Sequence, residues 1–123
     1  MMQIPKPSSE VAELFRRLVP DAPNVAVKPM FGNLGAFVNG NMFAGLFGDD
    51  IGVRLIDQAT AEQFRTIPGS RPFGPAERPM RGYLATPAAW RDEPELLTEW
   101  IGLALAQVSA LPPKQPKARK KGS

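Results

Sequence analysis

The dipeptide Asn39-Gly40, set between GAFV (35–38) and NMFAGLF (41–47), constrains this chain more than any other feature. Both central residues of a type I′ turn need positive φ, and Asn-Gly between alternating apolar runs is the strongest short-range hairpin signal. Strands are predicted at about 34–38 and 41–47. A second tight turn at Gly48-Asp49-Asp50 leads to IGVRLI (51–56), so the sequence predicts a three-stranded antiparallel meander.

Two-residue loops set the expected register: Phe37 opposite Met42, Gly35 opposite Ala44, Leu46 opposite Val53 and Ala44 opposite Leu55. The expected core face carries Phe37, Met42, Ala44, Leu46, Val53 and Leu55. The other face carries Ala36, Val38, Phe43, Phe47 and Ile56 beside Gly45, Gly52 and Arg54. Apolar residues there need a cover from a helix of the chain, from the Arg71–Pro79 loop or from a second copy. Phe47 is expected to shield Gly52 across the strands.

Helices flank the meander. Ser8 and Ser9 cap a predicted helix at about 9–19, where Val11, Leu14, Phe15 and Leu18 share one side and Pro20 ends it. Asn24–Val27 is a short extended lead-in. TAEQFRTI (60–67) predicts a short helix capped by Thr60, and SRPFGPAERP (70–79) a loop. MRGYLAT (80–86) is a further strand. Asp92-x-x-Glu95 reads as a capping box for a long helix over about 93–110, whose broad apolar stripe runs from Leu96 to Val108 and includes Leu103. The expected fold class is α+β: an antiparallel sheet, meander plus one later strand, flanked by N-terminal, short middle and long C-terminal helices.

Composition bounds the chemistry. With 123 residues, 43 % of them hydrophobic, there is material for one core. The absence of both His and Cys removes the commonest general base, the commonest transition-metal ligand, thiolate sites and disulfides. Asp49-Asp50 and Asp92-Glu93 sit where turns and caps use acids, and Glu62, Glu77, Glu95 and Glu99 read as solvated charges. The glycines of MFGNLG, with Lys28 and Arg54, resemble a phosphate cradle, but they precede a strand rather than a helix and read as turn glycines. No catalytic residue, cofactor site or metal site is predicted.

The net charge of +3 is unevenly placed. Lys114, Lys117, Arg119, Lys120 and Lys121 lie in the last ten residues with no acid among them, which leaves ten bases against twelve acids and a net charge of −2 over residues 1–113. The division is therefore a domain over 1–112 and a disordered basic tail over 113–123, whose five bases are candidate nonspecific contacts to nucleic acid. No apolar run reaches the length of a membrane span and the N-terminus lacks a signal-peptide layout, so a cytoplasmic location without membrane association is expected.

Lys28–Gly32 (KPMFG), Gly35, Phe37, Gly40, Met42-Phe43-Ala44, Arg54-Leu55, Phe64, Met80, Tyr83 and the closing Leu97, Trp100, Ala104 and Leu105 together resemble the N-terminal domain of the TfoX/Sxy family over about residues 10–108. The resemblance implies an α+β domain without catalytic residues. Larger members regulate natural competence and act on transcription alongside a cyclic-AMP receptor protein, and they carry a C-terminal helical domain where this chain has its basic tail. The expected function is a non-enzymatic interaction or regulatory domain with a protein partner, homodimerisation included. Val38, Phe43, Phe47 and Arg54 form the candidate protein interface, and the alternative is a nucleic-acid-associated protein that binds through its tail.

Overall fold

The computed structural model describes residues 5–30 and 32–113. Its order is α1 (Ser9–Leu18), β1 (Val25–Met30), β2 (Asn33–Val38), β3 (Asn41–Phe47), β4 (Asp50–Arg54), α2 (Gln58–Arg65), β5 (Arg71–Pro72), β6 (Tyr83–Ala85), a 3₁₀ turn (Ala88–Asp92) and α3 (Pro94–Ser109). The six strands form one antiparallel sheet in the order β1-β2-β3-β4-β6-β5. The chain is thus an α+β domain.

The hairpin is built as its residues demand, with φ of 52° at Asn39 and 83° at Gly40. At the next turn Phe47 pairs with Asp50 across Gly48-Asp49, one position earlier than a turn centred on Asp49-Asp50. Leu46 therefore faces Ile51 and Ala44 faces Val53, rather than Val53 and Leu55. A slip of two positions leaves every side chain on its expected face.

A second departure does change faces. Ala36 pairs with Ala44 but Phe37 pairs with Met42, which leaves Phe43 as an extra residue in β3. This β-bulge exchanges two sets of side chains. Phe37 and Met42 leave the core face, while Leu34, Ala36, Val38 and Phe43 join Ala44, Leu46, Ile51, Val53 and Leu55 in the buried cluster. Gly35 faces Gly45 rather than Ala44.

All three helices bury residues into that same cluster: Val11, Phe15 and Leu18 from α1, Ala61 and Phe64 from α2, and Leu97, Ile101, Ala104 and Val108 from α3. Phe64 anchors the end of the core, edge-on to Trp100 at 4.9 Å and to Trp90 at 6.0 Å between ring centroids. The apolar stripe of α3 is narrower than expected, since Leu103 is exposed.

Local signals moved at several boundaries. Ser8 caps α1 by accepting from the Val11 amide at 3.2 Å. The cap of α2 is Asp57, whose Oδ2 accepts from the Thr60 amide at 2.9 Å and from its hydroxyl at 2.6 Å; Thr60 lies inside the helix. The Asp92 capping box does not form, because Asp92 closes the 3₁₀ turn and Glu93 precedes α3 without a side-chain bond. β1 extends through Pro29 to Met30, which an edge strand allows because one row of its N–H groups needs no partner. The expected loop at 70–79 contains the short outer strand β5.

Candidate functional site

The described helices all bury their residues on one side of the sheet, so among the described residues no helix covers the other side, called here the open face, and its composition follows from the pairing. One cross-strand row runs Lys28, Gly35, Gly45, Gly52, Ala85, Arg71, from one edge strand to the other. Five strand spacings make this row about 24 Å long. Its middle is glycine and alanine, so bulkier side chains from neighbouring positions lean across it. A Cβ on Gly35 would lie 3.0 Å from the Phe37 ring and 3.3 Å from the Met42 sulfur, while one on Gly45 would meet the Met42 methyl.

Gly52 is covered by Phe73, which reaches back from the segment after β5, and a Cβ at position 52 would run into its ring. The shield is therefore Phe73 and not Phe47. Phe47 instead meets Phe73 edge-on at 6.4 Å, and the Tyr83 ring lies 6.1 Å from that of Phe73, tilted by 31°. The 71–79 segment is the intrachain cover for this part of the face.

The charges of the sheet are segregated. Lys28, Asp50, Arg54 and Arg71 are the charged residues of the six strands, and their pairing positions place all four on the open face. Arg71 is committed to structure: Nη1 donates to Asp50 Oδ1 at 3.0 Å and Nη2 to the Thr86 carbonyl at 3.0 Å. Lys28 and Arg54 are seated on aromatic rings instead. Lys28 Nζ lies 5.5 Å from the centre of the Phe37 ring, and Arg54 Cζ lies 5.9 Å from that of Tyr83.

Tyr83 is fixed in turn by its hydroxyl, which donates to the Met42 carbonyl at 3.3 Å. Burial pushes its phenol above the ordinary value of 10.0, against the opposing pull of the Arg54 charge.

The sequence-predicted interface residues divide between the two faces. Val38 and Phe43 are 4 % and 0 % exposed inside the helical core, so they offer no surface to a partner; the bulge at Phe43 turned them inward. Phe47 and Arg54 do lie on the open face, half-buried. Lys114, Lys117, Arg119, Lys120 and Lys121 fall outside the described residues. Sequence reasoning missed Phe37, Phe73 and Tyr83 as members of the open face. The faint signal was Arg54 and Tyr83 in strands predicted to share one sheet; Phe37 was hidden by the bulge.

Other polar groupings are structural. A cleft of about 280 Å³ is lined by Ser8, Glu10, Val11, Leu14, Asp49, Arg91 and Asp92. Three of its lining residues are tied to one another, as Asp49 Oδ1 accepts from the Ser8 amide and the Asp49 carbonyl accepts from Arg91 Nη1, both at 2.8 Å. Among the described residues no three His, Cys, Asp or Glu side chains gather in a group able to hold a metal ion. Nor is any described helix long and apolar enough to cross a membrane.

One antiparallel sheet, covered by helices on one face and carrying paired rings and cations on the other, defines a small α+β domain of the six-stranded antiparallel kind. The sequence profile of the TfoX N-terminal domain matches residues 16–108, about three quarters of the chain, and the chain belongs to that family. No curated protein sequence matches it.

Proposed function

We propose that this chain is a non-enzymatic, cytoplasmic regulatory domain that works by contact with another macromolecule and through it acts on transcription, as the family resemblance implies. One observation carries the reading: the open sheet face gathers Phe37, Phe47 and Tyr83, half-buried, with Lys28 and Arg54. Such a mixture of aromatic and cationic groups suits recognition over an extended surface, where a catalytic site would converge polar groups in a cleft.

The test is transcript profiling in cells that express the whole chain or its Lys28→Glu/Arg54→Glu variant at matched levels. A defined set of transcripts is expected to respond to the first and not to the second. Identical profiles for the two chains, and for cells without either, overturn the reading.

A second reading has its own observation, the concentration of five bases and no acid in the last ten residues beside a body of net charge −2. Here the tail tethers the domain nonspecifically to nucleic acid. Replacing all five bases by Gln is then expected to abolish duplex DNA binding whose affinity falls steeply with salt, and unchanged binding overturns it.

A further inference from the structure

Resting on the interaction reading above, we propose that the open face of the sheet is a docking platform for single-stranded RNA, in which Phe37 and Tyr83 stack on unpaired bases while Lys28 and Arg54 meet the flanking phosphates.

The face repeats one unit. The same unit, one ring with one cation over it, occurs twice: Lys28 with Phe37 and Arg54 with Tyr83. Phe37 on β2 and Tyr83 on β6 are separated by three strand steps, about 14 Å. A polymer whose repeating unit is one planar aromatic and one anion matches such a surface at both points, its anion drawing the cation off the ring and its base taking the vacated face. Base stacking on side-chain rings tolerates any sequence, because every base has a π-face.

The charge of this face also suits a polyanion. Residues 1–113 carry a net charge of −2, yet the strand positions on this face hold three bases and one acid, and that acid is held by Arg71. Positive charge is thus concentrated on one surface of an otherwise acidic body, which attracts a polyanion.

The alternative occupants fit less well. A symmetric dimer through this face would bring two copies of the same excess positive charge together, while Asp50 is already paired. Duplex nucleic acid stacks its bases internally and withholds their π-faces, so it satisfies only the charges. Preorganisation favours the single strand too, since the Tyr83 ring is already oriented by its bond to the Met42 carbonyl. Under the proposed role in transcription the platform is assigned to RNA, with single-stranded DNA as the competitor that the test must exclude.

The experiment is fluorescence anisotropy with a labelled twelve-nucleotide mixed-sequence RNA, the same sequence as single-stranded DNA, and its DNA duplex, each over a salt series. It uses the whole chain and four full-length variants: Lys28→Glu, Arg54→Glu, Phe37→Leu, and the tail with its five bases replaced by Gln. Lys28 is exposed, so its replacement leaves the fold intact, and Phe37→Leu keeps an apolar cover over Gly35 while removing the π-face.

The single-stranded RNA is expected to bind at least about tenfold tighter than the duplex, with each face variant weakening it about tenfold. The salt slope should flatten by about 0.7 for each cation removed, in the tail-substituted background as well. Equal or tighter duplex binding, tighter binding of the single-stranded DNA, loss only on tail substitution, or no binding at low salt overturns the proposal. So does light scattering in which the face variants dissociate a dimer of the whole chain. Absence of RNA binding beside a transcript response lost in the Lys28→Glu/Arg54→Glu variant refutes the RNA platform alone; absence of both refutes the interaction reading as well.

Discussion

Phe73 occupies the space that a side chain at position 52 would need. The ring is 1 % exposed and comes from a segment well downstream of the strand it covers, so the absence of a Cβ on Gly52 lets this segment close over the sheet. Gly52→Ala should therefore force apart ring and strand and destabilise the domain by about 1–3 kcal/mol. Phe73→Ala should cost about 3 kcal/mol through lost burial. Urea unfolding followed by tryptophan fluorescence checks both. The double variant should be less destabilised than the two single effects added, because shortening the side chain at position 73 removes the clash.

Asn33 ties three segments together. It is 5 % exposed; its Oδ1 accepts from the Gly48 amide at 2.9 Å and its Nδ2 donates to the Pro5 carbonyl at 3.0 Å. Asn33→Ala leaves the Gly48 amide buried without its acceptor and is expected to cost about 1–3 kcal/mol. Amide hydrogen exchange at Gly48 should speed up, and the segment before α1 should become open to proteolysis; unchanged exchange would show that another acceptor takes over.

Asp57 gives the fold a pH dependence at the acid end. The Thr60 hydroxyl, then the Thr60 amide, hold its carboxyl below the ordinary value of 3.8. Because the folded-state value is depressed, the stabilisation is complete above the unfolded value and disappears as the pH falls through the folded one. Asp57→Asn keeps an oxygen to cap α2 but cannot titrate. Thermal unfolding should show the wild type ahead of Asp57→Asn at neutral pH, with the gap closing as the pH falls below 3.8.

Tyr83 is the chain's one tyrosine, so ultraviolet absorbance of the tyrosinate reports it alone. Its midpoint should lie above 10.0, since burial disfavours the phenolate more than Arg54 favours it. A raised value means that the associated stability is present below the unfolded pKa and is lost as the pH rises through the folded one. Arg54→Gln removes the favourable charge and should move the midpoint further up. A midpoint that did not move would mean that Arg54 is not placed over the Tyr83 ring in solution.

The hairpin at Asn39-Gly40, the α+β class and the three principal helices were legible in the sequence because each is written in local terms: turn residues that tolerate positive φ, capping side chains, and apolar spacing of 3.6 or 2. Element ends were less so. Asp57 and Thr60 are both good caps three residues apart; the helix starts from the first, where Gln107 Oε1 of α3 accepts from the Ile56 and Asp57 amides. Asp92 has a capping signature that went unused because it is the last residue of the 3₁₀ turn, whose middle residue Trp90 packs edge-on against Phe64.

The site was the least legible part. Phe47 and Arg54 were placed on the open face by alternation alone, and the structure keeps them there. Val38 and Phe43 were misplaced, and Phe37 with them, by a single unpaired residue in β3. Alternation has a period of two, so one inserted position reverses the inside and outside of everything beyond it.

By itself the sequence determined what lies within reach of a few neighbouring residues: the turns, the amphipathic helices, the lack of His and Cys chemistry, and the family pattern. Tertiary structure alone decided which sheet face the helices cover, that Lys28, Gly35, Gly45, Gly52, Ala85 and Arg71 stand in one row, and that Phe73 closes over Gly52. Those outcomes depend on pairing and packing between residues distant in the chain. Free energies there are set by the volume and charge that distant partners bring, which no local pattern encodes.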